Sequence, residues 1–124
     1  MKPETKQWLD KAEGHLKAAS VLLEQSLHPQ CVFFCQQAIE VLLKAVWVER
    51  LSGQMPPRIQ RLVELAEGLG LALSPERLAF LDDLTNQYTP VRYGDIQVEF
   101  SRNKAGTYLQ GAQQAFLWLR PHLS

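Results

Sequence analysis

Gln37, Glu40 and Lys44 fall on one strip of a helix in a stretch, CQQAIEVLLKA (residues 35–45), that is otherwise almost wholly apolar. At about 100° per residue, Phe33, Gln37, Glu40, Lys44 and Trp47 share that narrow strip. Val32, Phe34, Ala38, Ile39, Leu42, Leu43, Ala45 and Val46 cover the rest of the circumference. An amide supplies donors and an acceptor, an ammonium holds an anion, and a carboxylate accepts from a base or ribose. Such a seam therefore suits a phosphate or a base edge. The same spacing, with the acid four residues before the lysine, also suits a plain intrahelical ion pair. A second set lies in VRYGD (residues 91–95), where Arg92 offers a planar cation fitted to phosphate and Tyr93 a phenol. Arg102 and Lys104 follow, diluted by Asp95 and Glu99. Gln37, Glu40, Lys44, Arg92 and Tyr93 are the candidate ligand-binding residues.

His28, Cys31 and Cys35 share a helical face and are all zinc-binding types, but no fourth ligand stands at a recognisable spacing, and structural zinc sites are closed four-ligand shells. No metal and no cofactor are expected. The two cysteines read as small buried hydrophobes in a reducing compartment.

A helix that is apolar nearly all round is central in its fold, and its polar seam must face water, a partner or a ligand. The elements that would surround it are legible. A periodic segment over residues 3–26 carries Trp8, Ala12, His15 or Leu16, Ala19 and Leu23 at helical spacing. SLHPQ interrupts it, and Pro29 suits the first turn of a second helix reaching residue 51. The two form a long antiparallel hairpin. A short third helix presents Leu62, Leu65, Ala66 and Leu69 and stops at Gly70. Ser74 and Pro75 open a fourth that runs to YTP (residues 88–90), and a last one from residue 101 or 102 carries Tyr108, Leu109, Ala112, Phe116 and Leu119. Between these last two, DIQVEF (residues 95–100) alternates like a strand but has none to pair with, so it is an extended loop. The expected fold is all-α: an up-and-down bundle of four to five helices with a long loop before the last, in one domain over residues 1–124.

Thirteen Lys and Arg balance thirteen Asp and Glu among 124 residues, so no global field draws the chain to nucleic acid or an anionic membrane. No run approaches the roughly 18 consecutive apolar residues of a membrane span, and the first residues have no apolar signal core. A cytoplasmic protein without membrane contact is expected. The apolar excess of the second helix, extended by Phe33, Trp47 and Leu51, points to a homodimer.

Trp8 and Ala12 in the first helix, QQAIEVLLKA (residues 36–45) in the second, PPR (residues 56–58) before the third and VRYGD after the fourth together resemble the HEPN family (higher eukaryote and prokaryote nucleotide-binding), over essentially the whole chain. The resemblance implies a small helical bundle of the type paired with minimal nucleotidyltransferases, in toxin–antitoxin-like systems, with a nucleotide as a ligand. Members of that family that act as metal-independent ribonucleases carry an Arg followed four to six residues later by His. Here Arg92 is followed by YGDIQVE and Arg102 by NKAGTYLQ, and the only histidines are His15, His28 and His122. Where the family often has Thr-His after the Pro-Pro loop, this chain has Ile59 and Gln60. Acid–base cleavage of RNA needs a proton carrier near neutral pH. The expectation is a non-hydrolytic partner protein with no catalytic residue and no RNA substrate. The alternatives are a ribonuclease toxin with a degenerate site, using Arg92 with a partner other than histidine, and a purely structural dimer.

Overall fold

The computed structural model describes residues 1–51, 54–92 and 99–124, with backbone alone for 88–92. Five α-helices follow in order: α1 (Pro3–Glu24), α2 (His28–Arg50), α3 (Leu62–Gly68), α4 (Pro75–Arg92) and α5 (Arg102–Leu119), with a closing 3-10 turn at Arg120–Leu123. There is no strand among the described residues. The all-α bundle expected from the periodicity is the observed fold.

Helix α1 begins where Pro3 sets the first turn and Glu49, at the far end of α2, reaches back to it. The Lys2 amide (3.0 Å) and the Thr5 hydroxyl (2.8 Å) both donate to Glu49 Oε1, which ties the two ends of the hairpin together. Those bonds, the Lys2 amide first, hold the Glu49 carboxyl below its ordinary range. The α1–α2 turn closes on Ser26, whose φ of 62° is the left-handed conformation usually given to glycine. The Leu27 amide bonds back to the Leu22 carbonyl and the Ser26 amide to Leu23. Gly70, φ 69°, closes α3 in the same way.

Helix α2 is the hub: α1, α3, α4, α5 and the terminal turn all pack on it. Ile39, Leu42, Leu43, Ala45 and Val46 are fully buried there, and burying each of the larger ones contributes roughly 1.5–3 kcal/mol. By length and hydropathy α2 alone, among the described residues, is apolar enough to cross a membrane, yet 67% of that window is buried within the bundle. Most of its apolar circumference is covered by its own chain. Helix α3 is docked by a hydroxyl rather than a cap of its own, because the Leu62 amide donates to Thr85 Oγ1 of α4 at 3.2 Å.

Helix α4 runs on through Pro90 to Arg92, past the end expected at YTP. A proline in the last turn forfeits only one backbone bond, so the helix tolerates it there. Most of the expected extended loop, residues 93–98, lies outside the described residues; Glu99 and Phe100 are not helical, and Phe100 is buried in the core. Helix α5 opens on Ser101, whose Oγ accepts from the Lys104 amide at 3.0 Å.

Where α4 meets α5, Phe80 lies over Gly111. A methyl group there would come within 2.2 Å of the Phe80 ring. Gly111→Ala is therefore expected to destabilise by about 1–2 kcal/mol, although alanine is by itself the better helix former by about 1 kcal/mol. In a Phe80→Ala background the same change should stabilise instead. Urea unfolding of the four proteins measures this reversal, and an equal effect in both backgrounds would contradict the packing described.

Candidate functional site

The polar residues of α2 form a row rather than an open strip. Gln36 is fully buried, and its Nε2 donates to Glu40 Oε1 at 3.3 Å and to the Gln60 carbonyl at 2.9 Å. Lys44 Nζ donates to Glu40 Oε2 at 3.0 Å, with only 13% of the lysine side chain and 10% of the glutamate exposed. Gln36, Glu40 and Lys44 thus link three successive turns of α2 and fasten the segment before α3 to it. Gln36 Oε1 is buried with no hydrogen-bond partner among the described residues, which leaves the row one further acceptor there.

Sequence reasoning placed Glu40 and Lys44 correctly on a shared strip and foresaw the pairing of four-apart charges. The sequence left open whether the seam faces water, a partner or a ligand; neighbouring elements close over α2 and leave the two charges about one-tenth exposed. Gln37 is half-buried beside them. Gln36 was missed, and a signal existed: it precedes Glu40 by the same four residues that separate Glu40 from Lys44. Arg92 ends α4, but its side chain and all of Tyr93 lie outside the described residues, as does any cleft between them and the seam.

Helix α1 contributes His15 to the neighbourhood. Its ring sits 5.5 Å, centroid to centroid, from Phe34 of α2, which in turn meets Phe33 edge-on at 5.3 Å. Burial pushes the His15 pKa down, the Lys11 charge adds to this, and the Glu40 carboxylate opposes both. The charge on Glu40 is therefore felt across the α1–α2 interface as well as along α2.

A second polar cluster lies between α4 and α5. Tyr108 donates its hydroxyl to Asp83 Oδ2 at 2.9 Å, beside a cleft of about 340 Å³ lined also by Phe80, Lys104, Thr107 and Gly111. Burial, then the bond to Asp83 and its charge, push the Tyr108 pKa up to about 12. Near neutral pH the phenol is a fixed donor and not a base. Nothing in the sequence pattern distinguished this tyrosine from a core residue.

The remaining titratable groups of chemical interest are engaged in packing. His28 donates through Nδ1 to the Phe100 carbonyl at 3.0 Å and holds the start of α2 against the approach to α5. The Cys31 and Cys35 thiols are buried against each other. Their mutual hydrogen bond lowers the pKa of Cys31, and the same bond together with burial raises that of Cys35. Among the described residues, no three His, Cys, Asp or Glu side chains gather to hold a metal ion.

Two outcomes follow from this geometry. Lys44→Ala strands a carboxylate that is nine-tenths buried, so it is expected to cost about 2–4 kcal/mol, between the values for exposed and fully buried pairs. Replacing both Glu40 and Lys44 by methionine should recover most of that loss in chemical denaturation. If the single variant is as stable as wild type, the pair is solvated in solution. The depressed His15 makes a separate contribution. It leaves stability intact above the ordinary histidine pKa of 6.5 and removes it as pH falls below that value, where the unfolded chain takes up a proton that the folded one resists. Stability measured by urea at pH 7.5 and pH 5.5 should fall less in His15→Gln than in wild type, and an equal fall in both would contradict the assignment.

The chain matches the model of the HEPN domain over residues 5–121. No curated protein matches it. Among solved structures, it is similar to TT1696 from Thermus thermophilus, with a TM-score of 0.86 and 23% identity over 98% of this chain and 100% of that one. It is also similar to ST0689, described as an archaeal HEPN homologue, with a TM-score of 0.76 and 22% identity over 100% of both chains. At such identities the two structures share the fold with this chain. The family match, which extends from the first turn of α1 to the turn after α5 and includes the α2 row, shows that the chain belongs to the HEPN domain family.

Proposed function

We propose that this chain is a non-hydrolytic HEPN-type partner protein, a cytoplasmic homodimer that binds a minimal nucleotidyltransferase in a toxin–antitoxin-like pair. The observation that carries the reading is the fate of the histidines. Neither Arg92 nor Arg102 is followed by one at the ribonuclease spacing. Of the three present, His15 packs on Phe34 between α1 and α2, His28 is bonded to the Phe100 carbonyl, and His122 lies in the terminal turn. A fold that cleaves RNA by acid–base chemistry needs a group that takes and returns a proton at the scissile phosphate. A binding role asks only for complementary surface and charge.

In this reading the α2 seam supplies the recognition chemistry. Lys44 carries two N–H groups beyond the one given to Glu40 and Gln37 lies on the same strip of α2, while Arg92 and Tyr93 are further candidates by residue type alone. An anionic ligand, a nucleotide phosphate or an acidic patch of the nucleotidyltransferase, competes with Glu40 for the lysine. Glu40 then orients the ammonium or accepts from a base or ribose.

The test pairs two measurements on the purified protein. Titration with a purified minimal nucleotidyltransferase should give a defined complex, weakened about tenfold or more by Arg92→Ala, the loss of a charge-assisted bond. Single-stranded RNA incubated with wild type should remain as intact as with Arg92→Ala. Efficient cleavage that Arg92→Ala abolishes would replace this reading with a ribonuclease toxin of altered active site.

A further inference from the structure

Helix α1 leaves one face uncovered. Gly14, Lys17, Ala18, Val21 and Leu22, with Phe34 of α2, line a cleft of about 490 Å³ whose walls are predominantly apolar. Val21 is 47% exposed. A side chain built on Gly14 would meet nothing within 4 Å, so the helix surface is open there. Gly14, Ala18 and Val21 recur at four and three residues, the spacing of a helix–helix seam, with small residues where two backbones would approach.

Charges flank that seam in a self-complementary order. Lys17 and Glu24 stand seven residues apart on the same flank of the stripe. Both are exposed, and the salt bridges of the described residues use neither. In an antiparallel pair of identical helices each flank meets its own copy. A two-fold axis passing between Ser20 and Val21 sets Lys17 opposite Glu24 of the partner subunit and Glu24 opposite the partner subunit's Lys17. Val21 of the two copies then meets near the axis. The motif closes on itself after two copies, as an isologous contact must.

We propose that this α1 face is where a second copy of the chain docks, antiparallel and centred on Ser20 and Val21. The inference rests on the homodimer of the proposed reading and specifies its surface. The apolar excess that suggested dimerisation from the sequence was assigned to the second helix; the bundle covers most of that helix. Of the exposed apolar helix residues, Val21 on α1 is the one that lines an apolar cleft between self-complementary charges, whereas Leu117 on α5 lines none of the clefts described.

Light scattering and sedimentation across a dilution series provide the test, with circular dichroism to show that each surface variant keeps its helices. Wild type should be a dimer and Val21→Glu a monomer. Lys17→Glu and Glu24→Lys each turn two opposed pairs into like charges, and each should weaken association about tenfold. The double variant, Lys17→Glu with Glu24→Lys, restores both pairs and should recover wild-type association. Val21→Cys should form an intermolecular disulfide under mild oxidation, a readout that does not depend on affinity. A wild type that is monomeric throughout would overturn the homodimer and this face together. A dimer that survives Val21→Glu would overturn the face alone, and charge variants that weaken association without recovery in the double variant would overturn the antiparallel register.

Discussion

A helix that is apolar around most of its circumference has to be surrounded, and everything else in this chain answers to that requirement. Helix α2 buries Val32, Ala38, Ile39, Leu42, Leu43 and Val46 completely. No single neighbour can cover such a surface, so α1 lies along one side as its hairpin partner while α3, α4, α5 and the terminal turn close the others. The length of α3, only Leu62–Gly68, makes sense in this light. It is too short to be stable alone, and it exists because Leu62 and Leu65 are buried in the core and Thr85 holds its first amide.

Enclosure changes the character of the polar residues on α2. On an open surface a glutamate and a lysine four apart would be worth a few tenths of a kcal/mol. With about one-tenth of each side chain exposed, the pair becomes a feature that the fold must satisfy or be destabilised by. Gln36 helps satisfy it, and by bonding the Gln60 carbonyl it also fixes where the chain enters α3. The same row is where the recognition chemistry of the proposed function sits. Under the proposed function, a ligand engaging Lys44 would compete with Glu40 for an ammonium that is itself nearly buried on α2.

The fold was legible because its signals are local. Helical period, Pro29 and Pro75 at first turns and Gly70 at a left-handed stop each act within a few residues of themselves, and they place all five helices. What the sequence concealed depends on residues far apart in the chain. The role of Thr85 in capping α3, the bond from Tyr108 to Asp83 and the seat of Phe80 on Gly111 all join positions brought close only by the folded bundle. The seam shows both situations: the pairing of Glu40 with Lys44 is intrahelical and readable, whereas its burial is set by the elements that close over it. The end of α4 was misplaced for a related reason, since a proline near a helix terminus is a weak stop once the helix is packed against a hub.

If α2 is the element on which the whole bundle depends, its amides can exchange with solvent only when the whole chain unfolds. Native-state hydrogen exchange across a series of low urea concentrations measures this residue by residue. Amides of residues 38–46 should show the largest opening free energies in the protein, equal to the global unfolding free energy and with its full urea dependence. Exchange there through a smaller, urea-independent opening, with α1 or α5 better protected, would contradict the central place given to α2.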